Sequence, residues 1–222
     1  MNMKVAFFFQ VPSCGRDWSL NTQAQSLSGT DATLLEVVSG LISKSQIDVS
    51  VYAKREPAHI NCSFNVCVSL SDAAKQAAGS NCDFFVFNVN DSEEQRDLFE
   101  EEYGRLKLIA WAQNSPRFDW CTRALKCENF HRLVTVSNVQ RYYLAVHKIF
   151  DQTVTIHNFI DLADWGGDIV PFSEREAFAY VGALKPSKGF HHLARAWPRV
   201  REKCPSASLQ VFGSPGLYGA TS

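Results

Sequence analysis

Short apolar runs alternate with helical patterns along most of the chain. Runs rich in β-branched and aromatic residues predict strands at 5–11, 47–53, 83–89, 106–112, 133–137 and 153–157. Apolar residues recur at helical spacing after Ser28–Asp31, which predicts a helix over 31–44. These residues are Leu34, Leu35, Val38, Leu41 and Ile42. Strands that alternate with helices are typical of an α/β fold with a Rossmann-like parallel sheet.

The rest of the first half follows the same alternation. A helix is predicted in the stretch 91–103, with Asp91 or Ser92 as its cap. Further helices are predicted near 117–127 and 138–149, the last with Tyr142, Tyr143, Val146 and Ile149 as its apolar positions. The segment 54–78 is less regular, and its pattern favours a strand at 64–68 and a short helix at 71–78.

A turn-rich stretch then interrupts the pattern. Gly166–Asp168 and Pro171 show neither helical nor strand periodicity, so we expect a first domain at 1–163 and a linker at 164–176. The alternation restarts with a strand at 178–183, a helix at 189–202 and a strand at 208–213. Two parallel strands and one helix bury little, so residues 177–222 are expected to form an incomplete second domain with exposed apolar faces that favour self-association.

Composition and charge disfavour some classes of protein function. Apolar residues make up 45% of the chain and the formal net charge is -1, which is ordinary for a globular protein. Because Lys and Arg look dispersed along the sequence, no nucleic-acid partner is expected. The apolar run at 5–9 is much shorter than the ~20 residues of a membrane span. We therefore expect a cytoplasmic protein, with peripheral membrane contact left open.

The cysteines predict neither disulfides nor a metal site. The chain has seven, an odd number, and no C-x-x-C pair. Cys121, Cys127 and His131 are close in sequence, but their spacing matches no usual zinc pattern. We expect reduced thiols, no metal ion and no cofactor.

Two loops are candidates for binding, because ligands of parallel sheets bind beyond the carboxyl ends of the strands. Ser28–Asp31 opens the first long helix, whose N–H groups suit a phosphate or a sugar hydroxyl, although a plain capped helix explains the same residues. Gly182–Phe190 carries Lys185 and Lys188 before a predicted helix, which suits a diphosphate; a solvated turn is the alternative. Motifs for dinucleotide binding, for a P-loop and for a nucleophile elbow are absent from the sequence.

Four blocks, in order and spacing, resemble the middle of glycosyltransferase family four. They are residues 133–138 with Arg141, 154–161, 180–189 and 209–213, which are similar to the family patterns vvSxxxr, ixNGiD, vGRLxxxKG and LxixG. Residues 28–31 resemble its N-terminal GGxE loop. The resemblance implies a GT-B enzyme, in which one Rossmann-like domain receives an acceptor and a second binds a nucleotide-sugar donor. It also implies retention of anomeric configuration without a metal ion.

The resemblance also assigns roles to individual residues. For the donor diphosphate it implies Lys188, with Lys185, Gly182 and Gly29 nearby. For the cleft and the acceptor side it implies a larger set, namely Thr30, Asp31, Gln113, Ser137, Arg141, Asn158 and Asp161. The acceptor is left open among sugars, lipid-linked sugars and small molecules.

The chain departs from the family at several positions. Ala183 replaces an arginine that contacts the diphosphate, Gln113 stands where histidine is common, and Phe159 replaces a glycine. The E-x7-E motif that follows these blocks in the family does not follow them in this sequence. A non-catalytic Rossmann-like module that binds a sugar or a protein, and a small-molecule sensor that holds a phosphate at the two lysines, are therefore the alternative hypotheses.

Overall fold

The computed structural model describes residues 2–10, 29–55, 62–159, 171, 175 and 177–213, with the backbone alone for residues 29–32 and 44. By its internal contacts the chain divides into two compact units, Met1–Ile160 and Asp161–Ser222. The linker predicted at 164–176 lies almost wholly outside the described residues.

The first unit contains a seven-stranded parallel sheet in the order β3-β2-β1-β4-β5-β6-β7. Its strands are β1 (Lys4–Phe9), β2 (Asp48–Ala53), β3 (Ser63–Val66), β4 (Phe84–Asn88), β5 (Lys107–Ala112), β6 (Phe130–Thr135) and β7 (Thr153–Thr155). Its helices are α1 (Gly29–Lys44), α2 (Leu70–Gly79), α3 (Glu93–Glu100), α4 (Phe118–Lys126) and α5 (Asn138–Tyr143). The predicted α/β fold with a Rossmann-like parallel sheet is confirmed.

Helices cover both faces of this sheet, which explains why its central strands are almost continuously apolar. On one face Phe7 and Val51 pack in a cluster with Leu34 and Val38 of α1. On the other face a second cluster joins the strands to α2, α3 and α4, with Trp120 1% exposed. The helices on both faces therefore contact the sheet through apolar residues, as their helical spacing in the sequence predicts.

The strand order changes direction beside β1. The chain adds β2 and β3 on one side of β1, then returns to add β4 to β7 on the other side. In open parallel sheets such a reversal separates the flanking loops and leaves a crevice at the carboxyl ends of the strands. Candidate ligand-binding residues of this unit are therefore sought at that end of the sheet.

Three of the predicted boundaries are wrong in an informative way. The helix predicted at 138–149 is broken: α5 ends at Tyr143, and a 3-10 helix occupies Lys148–Gln152. The helix predicted in the stretch 91–103 begins at Glu93 behind Ser92, one of its two predicted caps, but it ends at Glu100 because the backbone of Glu101 is extended. The strand predicted at 133–137 ends at Thr135, since Ser137 turns to cap α5.

The described part of the second unit is a βαβ motif. The parallel strands β8 (Ala177–Val181) and β9 (Ser208–Phe212) flank α6 (Phe190–Lys203). The ring of Trp197 packs against Phe178 with centroids 5.6 Å apart, and Phe190 against Tyr180 at 5.0 Å. Phe178, Val181 and Phe212 are more than half exposed, as expected for a two-stranded sheet. Self-association through these faces stays a prediction.

No described helix combines the length and the apolarity needed to cross a membrane.

Candidate functional site

Carboxamide side chains follow the carboxyl ends of five adjacent strands. We name this row the amide edge; its members are Gln10 after β1, Asn88 and Asn90 at the end of β4, Gln113 after β5, Asn138 after β6 and Asn158 after β7. Carboxyl ends of parallel strands lie together, so the topology places residues far apart in sequence along one border. All six groups are neutral and each both donates and accepts hydrogen bonds.

Gln113 and Asn158 form a reciprocal amide pair. Gln113 Nε2 donates to Asn158 Oδ1 at 3.2 Å, and Asn158 Nδ2 donates to Gln113 Oε1 at 3.0 Å. The pair crosses the end of β6, which lies between β5 and β7. A carboxamide has two N–H donors and two acceptor lone pairs, so each partner has further capacity for a ligand.

A small cavity lies where β1 and β4 end. It has a volume of about 10 Å³ and is lined by Gln10, Asn88, Asn90 and Gln95 among others, which is close to the space of one water molecule. Asn90 Nδ2 donates to Gln10 Oε1. Asn88 Oδ1 is buried and has no hydrogen-bond partner among the described residues. It is therefore a buried acceptor to which no described residue donates a hydrogen bond.

Buried Gln95 of α3 holds this end of β4 in place. Its Nε2 donates to the Asn88 carbonyl at 2.5 Å, and its Oε1 accepts from Trp120 Nε1 at 2.9 Å and from the Asn90 backbone N–H at 3.3 Å. Gln95 is 1% exposed. A buried polar group with this many partners fixes the local backbone, so Asn88 and Asn90 are preorganised.

His157 lies beside the amide pair. Its Nδ1 is 3.1 Å from the carbonyl oxygen of Val136. Because a carbonyl only accepts, this hydrogen bond requires the proton on Nδ1 and leaves Nε2 as the acceptor of the neutral ring. An exposed acceptor nitrogen next to Asn158 suits a ligand hydroxyl.

Ser137 and Arg141 have local structural partners. The Ser137 hydroxyl accepts from the Gln140 backbone N–H at 3.1 Å and thereby caps α5. The guanidinium carbon of Arg141 lies 4.6 Å from the centre of the Phe150 ring, a cation–π contact. Both residues position α5, and their contacts do not point to a ligand.

The remaining site residues of the first unit are only partly described. Gly29, assigned to the donor, and Thr30 and Asp31, assigned to the acceptor side, form the first turn of α1, and only their backbone is described. Asp161 also lies outside it.

The lysine turn joins β8 to α6 in the second unit. Lys185 precedes the 3-10 helix Pro186–Lys188, and Gly189, with a φ of 77°, connects that helix to α6. The Tyr180 hydroxyl lies 3.0 Å from the Ala183 carbonyl oxygen and 3.3 Å from that of Lys188. Lys185 is half-buried and Lys188 is exposed. The two cations are three positions apart, and both precede the N-terminus of α6.

Glycine is required where the two strands of this unit end. The Gly182 N–H donates to the Phe212 carbonyl at 2.9 Å, and Gly182 has a φ of 149°. A Cβ at Gly213 would lie 1.9 Å from the Gly182 oxygen, which is a severe clash. Gly182 therefore shapes the turn, and no other role follows from its contacts.

Basic residues cluster in the segment 177–213, although Lys and Arg were expected to be dispersed rather than clustered on one face. Between 177 and 213 the chain has six Lys and Arg residues and a single carboxylate, Glu202. His192, Arg195, Arg199 and Lys203 are exposed on α6 and follow one another at intervals of three or four residues. This arrangement makes one outward stripe of α6 cationic.

The buried cysteines of the first unit are not activated nucleophiles. Burial raises the pKa of the Cys67 thiol to about 11 and that of Cys121 to about 12. Such thiols are protonated at neutral pH and unreactive. Within the described ranges no group of three or more His, Cys, Asp or Glu could hold a metal ion.

Of the residues that the sequence assigned to the acceptor side, the structure joins Gln113 to Asn158 across 45 positions of the chain. It adds Gln10, Asn88, Asn90, Gln95 and His157, which sequence reasoning missed. The available signal was a carboxamide or imidazole directly after a predicted strand, but the sequence alone did not say which strands are neighbours.

Comparison with models of known protein families gives no match, and comparison with curated proteins gives none.

Proposed function

We propose that the first unit binds a carbohydrate at its amide edge and that the protein is a glycosyltransferase of the GT-B type. The observation that carries the proposal is the Gln113–Asn158 pair, with reciprocal hydrogen bonds of 3.2 and 3.0 Å at the carboxyl end of the sheet. It is supported by the motif resemblance of the sequence and by the parallel α/β fold.

Carboxamides suit a sugar because both partners donate and accept. Vicinal hydroxyls of a pyranose present one donor and several lone pairs each, and a planar amide meets two neighbouring hydroxyls at once. The six side chains of the amide edge are neutral, so they favour an uncharged polyol over an anion or a cation. His157 Nε2 adds an acceptor for a further hydroxyl.

The donor is assigned to the second unit because of its lysine turn. Lys188 and Lys185 precede the N-terminus of α6, where backbone N–H groups and cations together favour a diphosphate. In the proposed transfer the bond between the sugar C1 and the donor diphosphate breaks, C1 bonds to an acceptor oxygen, and the proton of that hydroxyl passes to the departing diphosphate. Cations at the departing diphosphate stabilise the charge that develops on it. Retention of configuration is implied by the resemblance alone.

Unpaired thiols suit the compartment proposed for such an enzyme. The six described cysteines form no disulfide. Reduced thiols are the rule in the cytoplasm, where nucleotide sugars would be its substrates.

A non-catalytic carbohydrate-binding protein is the second candidate, and one observation favours it. None of the six side chains of the amide edge is titratable, so none is a general acid or base. Such a protein would bind the same glycosides without consuming a nucleotide sugar.

Calorimetric titration with a panel of nucleoside diphosphates and nucleotide sugars tests the transferase. We expect at least one to bind, and Lys188→Ala to weaken that binding about tenfold, the usual effect of losing a charge-assisted contact. Lys203→Ala at the far end of α6 is the matched control and should bind like wild type. Absence of binding across the panel would leave the binding protein as the surviving candidate.

A further inference from the structure

Gln140 is a buried carboxamide of α5 that holds the chain where β6 ends. It is 7% exposed, and its Oε1 accepts a hydrogen bond from the Val136 backbone N–H at 2.9 Å. Val136 directly follows β6, and its side chain packs against the apolar cluster on the α1 face of the sheet. A buried polar group has to be satisfied by specific partners, so this hydrogen bond fixes the backbone at Val136.

The local sequence suggests a simpler role for Gln140, as part of a helix cap. Residues 137–140 read S-x-x-Q, the signature of a capping box, in which the glutamine side chain bonds to the backbone N–H of the capping serine. The serine half is present, since the Ser137 hydroxyl accepts from the Gln140 N–H at 3.1 Å. The glutamine half, however, runs to Val136, one residue before the serine. Capping of α5 alone therefore does not explain this bond.

The ladder between β6 and β7 continues beside this bond with a side chain. The Ile156 N–H donates to the Thr135 carbonyl at 2.9 Å. One position further along both strands, the Val136 carbonyl accepts from His157 Nδ1 at 3.1 Å. An imidazole thus takes the place of a backbone N–H. Because Gln140 holds the N–H of Val136, it fixes the residue whose carbonyl orients the His157 ring.

The position of the proton on His157 depends on that carbonyl. With Nδ1 as the donor, Nε2 is the acceptor of the neutral ring. Which nitrogen carries the proton is set by the hydrogen bond that the other nitrogen makes. If the Val136 carbonyl moved away, the ring could transfer its proton to Nε2 and turn away from Asn158.

We propose that Gln140 is a positioning residue of the amide edge, which acts through Val136 to hold His157 with Nε2 offered to a sugar hydroxyl. Gln140 is buried, so its effect on a ligand passes through the His157 ring. Groups that are oriented before the ligand arrives bind it more tightly, because less ordering remains to be done. The effect on sugar binding rests on the proposed function, whereas the effect on the His157 tautomer does not.

The tautomer is measured in the ligand-free full chain at alkaline pH, by two-bond ¹H–¹⁵N NMR of the imidazole rings, with His157→Ala to assign the signals. In wild type the proton should be on Nδ1. Gln140→Met keeps a similar side-chain volume without an acceptor oxygen, so a measurable fraction of the rings should shift to the Nε2–H form. Gln140→Glu retains an acceptor oxygen and should keep the wild-type tautomer. The matched control, Ile149→Val, trims a fully buried side chain of the same region and should also keep it.

Titration with methyl glycosides, observed through the side-chain NH₂ signals of Gln113 and Asn158, measures the effect on binding. Gln140→Met and His157→Ala should each weaken binding roughly fivefold, as expected for one neutral hydrogen bond. In the His157→Ala background, Gln140→Met should add no further loss, because it acts through that ring.

Four results would overturn the proposal: a wild-type His157 with its proton on Nε2, an unchanged tautomer in Gln140→Met, an equal shift in Ile149→Val, or additive losses of binding in the double variant. A different result would contradict the proposed function alone. If the His157 tautomer depends on Gln140 as expected and no methyl glycoside binds to wild type, the sugar site fails while the positioning role stands.

Discussion

Single polar side chains in the first unit differ greatly in how much they are expected to contribute to the stability of the fold. Gln95 is almost completely buried and has three partners, whereas Gln76 is on the outer side of α2 and bonds to Val66 and Asp72 near solvent. Removing a buried amide leaves its partners unsatisfied, and that penalty greatly exceeds the net gain from one surface hydrogen bond.

Gln95→Leu is therefore expected to destabilise the fold by about 2–4 kcal/mol, because the Trp120 indole N–H and the Asn88 carbonyl lose their partner in the interior. Urea denaturation followed by tryptophan fluorescence measures the change. Gln76→Leu is the matched control and should cost about 0.5 kcal/mol or less. Equal losses in the two variants would contradict the role assigned to Gln95.

The buried thiols predict a dependence of stability on alkaline pH. Burial raises the pKa of Cys67 to about 11 and those of Cys121 and Tyr103 to about 12, from 9.0 for a thiol and 10.0 for a phenol. Below about pH 9 these groups are protonated in both states, so their contribution is complete. Above it they ionise first in the unfolded chain, so the free energy of unfolding should fall through pH 9–12, by at most about 1.4 kcal/mol per pH unit and group.

Denaturation at pH 8 and at pH 10.5 measures that fall, and Cys121→Ala should make it shallower by removing one of the groups. An identical pH slope in wild type and variant would mean that Cys121 already ionises in the folded state.

At the scale of elements, helix starts differ in how they are capped. The Ser69 hydroxyl accepts from the Asp72 backbone N–H at 3.1 Å and caps α2, while Ser92, at the same position before α3, forms no such hydrogen bond. Two serines that look alike in sequence thus differ in what they contribute.

Ser69→Ala should cost about 1 kcal/mol, since an orphan N–H of the first turn loses its acceptor. Ser92→Ala should leave the unfolding midpoint nearly unchanged. The comparison uses thermal or urea denaturation of both variants. A loss at Ser92 as large as that at Ser69 would show that the local sequence, and not the cap, determines stability here.

The elements were mostly predictable from sequence, and the exceptions have physical causes. Strands β1, β2, β4 and β5 and helix α6 follow from their apolar periodicity. The short length of α5 could not be predicted in this way, because Tyr142, Tyr143 and Val146 keep helical spacing although they face solvent. Periodicity identifies a stripe, but it does not say whether the stripe meets the core or another partner.

At the scale of the whole molecule, sheet order determines what the site contains. The motif resemblance indicated Gln113 and Asn158 separately, whereas their direct pairing across β6 depends on the order β5-β6-β7. Gln10 and Asn90, which are 80 positions apart in the sequence, meet for the same reason, because β1 and β4 are neighbours in the sheet. A single sequence does not contain that order, so this half of the amide edge could not be predicted.

Charge also varies along the chain. Residues 177–213 carry six Lys and Arg against one carboxylate, whereas residues 161–176 carry five carboxylates and one arginine. The basic segment 177–213 suits the phosphates of a donor, and a neutral amide edge suits a polyol. The proposed functions thus use different chemistry in each unit.

The most direct test of the central claim, that the amide edge binds carbohydrate, is NMR observation of side-chain NH₂ signals during titration with simple glycosides and nucleotide sugars. We predict that the signals of Gln113 and Asn158 shift together with increasing ligand, while those of Asn81 and Asn129, which precede β4 and β6 at the opposite border of the sheet, do not. Unchanged Gln113 and Asn158 signals with every sugar, or equal shifts at both borders, would contradict the account.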